Sequence, residues 1–356
     1  MSIISSKSWR ILFVSTPVAS LGTGFGGGVE LSLKNLAQSL LLKGHLVTVL
    51  APEGSILSNA DLQTVPGKLQ DSMQFQKRGD GILPDNSVLA NLWERARVLQ
   101  KDYDLILNFA YDWLPFYLTP FFRIPVAHLV SMCTLDDSMD RIITQIAKNH
   151  PHALAFHTQV QAESFGFSDV RSIGNALDLD LYNFCDQPQN HLAWAGRISP
   201  EKGLEDAIAA AESTGTELRV YGILQDLDYW ESLKQEFFGI RYQGFLDTEA
   251  LQQELRQSKA LLMTPRWIEA FGNVVIEALA CGVPVVSYRR GGPAEIIDDG
   301  ITGFLVEPDN IDDLVHAIKQ IHEIDRQACR DCAENEYSLE AYGDRLNIWF
   351  QDLLQS

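Results

Sequence analysis

The chain has 356 residues, with 28 Lys+Arg against 47 Asp+Glu for a formal net charge of −19, and is 46% apolar and 10% aromatic. At ~100 to 200 residues per domain this length calls for two domains, each able to bury a core, and the aromatic content excludes wholesale disorder. The acidity argues against a nucleic-acid binder and against an enzyme seated on anionic lipid, since both need clustered Lys and Arg.

Taken in chain order, short apolar runs alternate with amphipathic stretches. Strands are expected at Ile11 to Ser15, Leu46 to Ala51, Leu105 to Phe109, Pro125 to Leu129, Ala153 to Phe156 and Val170 to Ile173. A helix is expected over Val29 to Lys43, where Val29, Leu33, Leu36, Leu40 and Leu41 recur at helical spacing and Gly44 supplies the stop. The series then restarts, with strands at Leu192 to Ala195, Leu218 to Tyr221, Ile240 to Tyr242, Ala260 to Met263, Pro284 to Ser287 and Gly303 to Val306. Helices are expected from about Gly203, Leu227, Thr248, Asn273 and Ile311. Such βαβ repetition predicts two doubly wound parallel sheets in tandem, with the seam in the polar stretch Asp178 to Asn190. Beyond Ile311 the chain reads as mostly helical, and Leu346, Ile348, Trp349 and Leu353 need a surface to dock on.

The charge is unevenly divided: residues 1–178 carry 14 basic and 16 acidic side chains, and residues 179–356 carry 14 and 31. Five scattered cysteines, Cys133, Cys185, Cys281, Cys329 and Cys332, do not form a disulfide framework, and a reducing cytoplasm is expected. The Cys329-x-x-Cys332 pair has no second pair nearby and reads as inert thiols. Met1 to Trp9 lacks an apolar stretch of signal-peptide length, and no run approaches the ~18 apolar residues of a membrane span, so neither export nor insertion is expected.

Gly22-x-Gly24-x-x-Gly27 matches a dinucleotide fingerprint in form, but Thr16 to Leu21 separate it from the preceding strand, whereas the fingerprint follows its strand at once. The better reading is a long loop whose last glycines, Gly27 and Gly28, bring bare backbone N–H groups to a helix N-terminus, a place that favours an anion; a plain surface loop is the alternative. Later, Gly196-Arg197 and Lys202-Gly203 sit between a strand and a helix. An Arg and a Lys beside a helix N-terminus suit a diphosphate. Glu269 closes a loop, Phe271-Gly272-Asn273 opens a helix, and Glu277 lies one turn into it. Both carboxylates can then face one cleft and accept from sugar hydroxyls while helix amides hold oxyanions.

Asp178-Leu-Asp180 and Asp226-Leu-Asp228 have the spacing of a metal–diphosphate signature, yet the second reads as a helix start, where Asp is a good first residue. No metal ligands and no cofactor are therefore expected. The aromatic stretch containing Tyr111, Asp112 and Trp113 offers planar surfaces and a carboxylate to a flat, hydrogen-bonding heterocycle, and equally reads as a helix start packed on the sheet.

Jointly, Gly196-Arg197 with Lys202, the Glu269/Glu277 pair, Gly282-x-Pro284-Val-Val, Gly291-Gly292-Pro-Ala-Glu295, Thr302-Gly303-Phe304, Gly27-Gly28-Val-Glu30, Lys43-Gly44-His45 and Asn175-Ala-Leu-Asp178 resemble the retaining GT-B glycosyltransferases of the group 4 type. The resemblance implies an α/β fold of two Rossmann-like domains facing a cleft. An N-terminal acceptor domain would comprise residues 1–178 plus 339–356, the last helix crossing back to it, and a donor domain residues 179–338. It implies that Arg197 and Lys202 hold a UDP-sugar diphosphate, that Glu277 takes the ribose, and that Glu269 with Phe271, Gly272 and Asn273 grips the transferred sugar. His128, read at the end of a strand, matches the family's active-site histidine, with a buried structural histidine as the alternative; His157 is a further cleft residue. Same-face attack with retention, without metal, is implied. The segments around Phe13, Leu21 to Leu33 and Val49 to Ser55 resemble bacterial members that glucosylate reduced pterins such as tetrahydrobiopterin, a small soluble acceptor. Lipid or polysaccharide acceptors, a nucleotide-sugar epimerase and a silent binding module stay open.

Overall fold

The structure is a computed structural model that describes residues 7–22, 27–58, 60–70, 85–237 and 240–356. It divides into two compact units, Met1–Ala176 with Leu339–Ser356, and Leu177–Ser338.

In the first unit the strands are β1 (Arg10–Val14), β2 (Leu46–Pro52), β3 (Asp61–Val65), β4 (Leu105–Asn108), β5 (Val126–Val130) and β6 (Leu154–Phe156). They form one parallel sheet in the order β3-β2-β1-β4-β5-β6. Around it run α1 (Gly27–Leu42), α2 (Val88–Leu99), α3 (Trp113–Leu118), α4 (Asp137–Asn149) and α5 (Gln159–Glu163). Strand β1 is apolar without alternation because both of its faces are covered. Ile11 and Phe13 enter the core shared with Leu33, Leu36 and Leu40 of α1, while Leu12 and Val14 enter the core shared with Leu89, Leu92 and Trp93 of α2.

The second unit repeats the plan with β7 (His191–Ala195), β8 (Glu217–Tyr221), β9 (Arg241–Gly244), β10 (Ala260–Met263), β11 (Val285–Tyr288) and β12 (Gly303–Val306), in the order β12-β11-β10-β7-β8-β9. Its helices are α6 (Leu204–Thr214), α7 (Leu227–Glu236), α8 (Thr248–Leu255), α9 (Asn273–Ala280), α10 (Pro293–Ile296), α11 (Ile311–Gln320) and α12 (Arg326–Glu336). In each sheet the strand order reverses beside the first strand, between β1 and β4 and between β7 and β10. Crevices beyond the carboxyl ends of strands at such a switch point are where open α/β sheets take ligands.

Helix α13 (Leu339–Gln355) returns to the first unit, where Leu346, Trp349, Phe350 and Leu353 are buried against the α1 core. The Trp349 indole N–H donates to His152 O at 2.8 Å. Ile348, expected to dock with them, faces outward at 54% exposure, one position off the buried stripe.

Four expectations need correction. Strand β3 was not anticipated: Asp-Leu-Gln-Thr-Val lies at the sheet edge and is only half covered, so it lacks the apolar run that marks the inner strands. Val170 to Ile173 is not a strand; it pairs with β6 only through the Phe156–Ser172 bridge. Helix α1 starts at Gly27, two residues before Val29, which puts both glycines inside its first turn. The chain leaves the first unit after Ala176, ahead of the polar stretch expected as the seam. There Asn35 Nδ2 donates to Ala176 O at 2.8 Å and Asn175 Nδ2 to Ser32 Oγ at 2.6 Å, holding the exit against α1.

Among the described residues no helix is long and apolar enough to cross a membrane. The five cysteines are free, and burial raises the Cys329 thiol to about 12 and that of Cys332 to about 11, which favours the protonated form.

Candidate active site

In the second unit two loops leave the switch point side by side. Beyond β7, Gly196-Arg197 leads into a 3₁₀ turn over Pro200–Lys202; beyond β10, the chain runs through Thr264 and Trp267 to Glu269 and α9. Gly203, at φ 63°, lets them meet, because a Cβ there would lie 2.1 Å from Thr264 O. Thr264 Oγ1 donates to Gly203 O at 2.7 Å and Arg266 N to Glu201 O at 2.9 Å, so the loops are stitched together. The Glu269 end is held from the other side, where Gly292 N donates to Glu269 O at 2.7 Å. Gly291, at φ 72°, approaches so closely that a Cβ would sit 2.4 Å from Glu269 N.

This backbone brings Arg197, Lys202 and Glu269 together around the indole of Trp267. The Lys202 ammonium pairs with Glu269 Oε2, both side chains being mostly buried, and Trp267 Nε1 donates to that same oxygen at 3.1 Å. Lys202 Nζ lies 4.9 Å and the Arg197 guanidinium 5.8 Å from the Trp267 ring centroid. Arg197 also meets Gln225 Oε1 and, at 3.3 Å, Glu201. Burial opposes ionisation of Glu269, but Lys202, the indole N–H and Arg197 outweigh it and hold the carboxyl below its usual range. The cluster is thus a fixed carboxylate beside two permanent cations at the mouth of a parallel sheet. That combination can accept from hydroxyls and hold oxyanions at once.

Glu277 has different surroundings from Glu269. It is buried on α9 and accepts from Tyr182 Oη at 3.0 Å. Burial pushes its carboxyl up to about 7, against the opposing pull of the tyrosine hydrogen bond. One carboxyl of the pair is therefore held ionised and the other is poised near neutrality. Phe271 is buried edge-on to Tyr337, and Gly272 and Asn273 open α9, whose first-turn amides face out of the helix N-terminus. Asp226 caps α7, accepting from Tyr229 N at 2.9 Å, which is the helix-start role read for it.

In the first unit Gly27 and Gly28 open α1, and Glu30 in its first turn accepts from Gly22 N at 2.6 Å. Gly24 lies outside the described residues. His128 is corrected in place: it is central in β5, not at the strand's end, and is fully buried. Asn108 Nδ2 lies 3.1 Å from its Nδ1 and Thr119 Oγ1 2.8 Å from its Nε2, while Phe116 stacks on the ring at 4.4 Å. Burial lowers its pKa to about 3. The imidazole is thus enclosed by Asn108, Thr119 and Phe116, and its burial favours the neutral form. His157, just past β6, is buried as well, its Nδ1 2.8 Å from Gly174 O.

Of the acceptor candidates, Asp112 caps α3 by accepting from Leu114 N at 3.0 Å, and Tyr111 Oη donates to Cys133 O at 3.2 Å. Only Trp113 is presented outward, 42% exposed and stacked on Tyr117 at 4.4 Å. Asp136 caps α4, accepting from Ser138 N at 2.8 Å.

Trp267 and Tyr182 were not assigned from sequence, although one lies two residues before Glu269 and the other four after Asp178 of the Asn175 motif. A lone aromatic beside a motif looks like packing until its polar atom is seen to reach a carboxylate.

Residues 184–339 match the family described as glycosyl transferases group 1. A glycogen synthase of Mycobacterium tuberculosis is 30% identical over 168 residues, 44% of this chain and 40% of its own. The chain spans about two fifths or less of the length of the curated relatives it matches. Among solved structures, sucrose-phosphate synthase from Thermosynechococcus elongatus superposes with a TM-score of 0.75 at 20% identity, covering 98% of this chain and all of that one. The Anabaena protein HepE, solved in complex with UDP and glucose, does so at 0.73 and 18%, covering 97% and 100%. The chain therefore has the two-unit α/β GT-B fold of these solved structures, and residues 184–339, most of its second unit, match the glycosyl transferases group 1 model.

Proposed function

We propose that this protein is a retaining glycosyltransferase that moves glucose from UDP-glucose to a small soluble acceptor, a reduced pterin such as tetrahydrobiopterin. The observation that carries the reading is the cluster of Lys202, Arg197 and Glu269 at the β7/β10 switch point, inside the segment that matches glycosyl transferases. In this proposal Arg197 and Lys202 hold the diphosphate, aided by the first-turn amides of α9. Glu269, with the backbone of Phe271 to Asn273, receives the hexose hydroxyls, and Glu277 the ribose. The acceptor role is assigned to the first unit, in which Gly27 and Gly28 open α1. The solved complex of HepE with UDP and glucose supports the choice of donor. The pterin rests on the resemblance of the N-terminal segments, and Trp113 is the flat surface offered to it.

The bond from the anomeric carbon to the β-phosphate oxygen breaks as the acceptor oxygen bonds to the same face, and the acceptor proton passes to the departing phosphate. The two cations neutralise the leaving diphosphate, so the reading assigns no metal and no cofactor. His128 makes no substrate contact in it.

The test is mass spectrometry of protein incubated with mixed UDP-sugars, tetrahydrobiopterin and a metabolite extract. A new species heavier by ~162 mass units, the hexosyl increment, formed together with free UDP is expected. NMR of the product should show the donor's anomeric configuration, and turnover should survive EDTA. An inverted anomer removes the retaining mechanism. Interconverted UDP-sugars without acceptor modification would make the protein an epimerase, and donor binding without any product a silent binding module. A labelled lipid or polysaccharide in place of the pterin would move the acceptor class.

A further inference from the structure

We infer that Trp267 is a positioning residue of the donor site, its indole N–H fixing the carboxylate that meets the transferred sugar and its ring face fixing the two cations that meet the diphosphate. The inference rests on the donor reading above and adds a division of labour within it. Lys202, Arg197 and Glu269 are long, rotamer-rich side chains, and ordering them only when ligand arrives would cost affinity. An indole has two side-chain torsions and a broad face, so it can order several partners while losing little freedom itself.

The frame on both sides of Trp267 is anchored. Arg290 donates to Pro265 O at 2.9 Å and pairs with Asp309 at 2.6 Å, Arg266 N donates to Glu201 O, and Gly292 N donates to Glu269 O. The ring is therefore a fixed platform carrying Lys202 at 4.9 Å and Arg197 at 5.8 Å.

The shared oxygen gives the arrangement its purpose. Lys202 and Trp267 both reach Oε2 of Glu269. A diphosphate competes for the Lys202 ammonium, and as the ammonium turns to it the carboxylate loses its strongest partner. The indole N–H, which has no other charge to serve, stays on that oxygen and leaves the rest of the carboxylate facing the sugar. Trp267 thus lets one cation be shared between diphosphate and carboxylate without releasing the carboxylate.

Titration calorimetry with UDP and with UDP-glucose on wild type, Trp267→Phe and Trp267→Leu tests this, with thermal unfolding as the control for folding. Phenylalanine keeps a face for the cations and lacks the N–H. It should bind UDP within about threefold of wild type while losing about tenfold of the preference for UDP-glucose over UDP. Leucine lacks both features and should weaken UDP itself by about fivefold. A merely structural role would shift the two ligands together and leave their ratio unmoved. An unchanged ratio in Trp267→Phe, or equal loss of UDP binding in both variants, overturns the inference. Wild-type protein that binds neither ligand overturns the donor reading itself, and this inference with it.

Discussion

Glu277 carries a consequence for stability that can be measured without any substrate. Its side chain is buried on α9, touches Tyr182 Oη at 3.0 Å, and has its carboxyl raised from 4.5 to about 7 by burial. A group that binds its proton more tightly in the folded than in the unfolded state stabilises the fold while protonated, and that stability drains away as pH climbs from the unfolded value through the folded one. The separation from 4.5 to about 7 corresponds to about 3 kcal/mol at 1.36 kcal/mol per tenfold in proton affinity. Between pH 4.5 and 8 the wild-type protein should therefore lose up to about that much more unfolding free energy than Glu277→Gln. The amide can still accept from Tyr182 and never ionises. Any fixed cost of burying its NH₂ is the same at every pH and leaves the slope untouched. Urea unfolding at half-unit pH steps on both proteins gives the two curves. Their offset should be constant at the acid end, and above pH 5 the wild type should steadily lose stability relative to the variant. Parallel curves would refute the assignment of a buried, proton-retaining carboxyl, as would a wild type that gains stability relative to the variant as pH rises.

Three further outcomes follow from the same geometry. Lys202→Ala strands the Glu269 carboxylate and should destabilise the protein by about 3 kcal/mol while weakening UDP binding by more than tenfold; Glu269→Gln added to it should recover much of the stability but none of the binding, as a double-mutant cycle by denaturation and calorimetry would show. Gly291→Ala forces a Cβ toward Glu269 N, 2.4 Å away, at φ 72°, so it should cost about 2 kcal/mol or more and reduce sugar-dependent turnover. Thermal melts and initial rates decide it, and wild-type values for both would mean the two loops are not in contact. His128→Ala removes a stacked ring and takes one hydrogen-bond partner from each of Asn108 and Thr119, a loss of about 3 kcal/mol. At a temperature where this variant is folded, turnover should persist, whereas full stability with abolished turnover would return His128 to the reacting centre.

Much of the architecture is written in local pattern. The inner strands β1, β4, β7 and β10 show as unbroken apolar runs because helices cover both faces of each sheet, and the restart of the series at Leu192 announces a second sheet. The edge strand β3 escapes notice for the converse reason, since half of it faces water and its composition is that of a loop. Charged candidates in loops beyond strand ends, Arg197, Lys202 and Glu269, were legible because a permanent charge beside a switch point has few structural uses. His128 was misplaced because a histidine reads alike at a strand's end and at its centre.

What the sequence determined by itself is therefore the repeated βαβ plan and the loops that carry ions, since both follow from the spacing of apolar and charged residues along the chain. Only the tertiary structure decided the protonation of the two glutamates. Glu269 is pinned by Lys202 and Trp267, residues drawn from two loops, whereas Glu277 is buried against Tyr182, 95 positions away. The same side chain eight residues apart takes opposite charge tendencies because desolvation and the nearest counter-charge are set by neighbours in space.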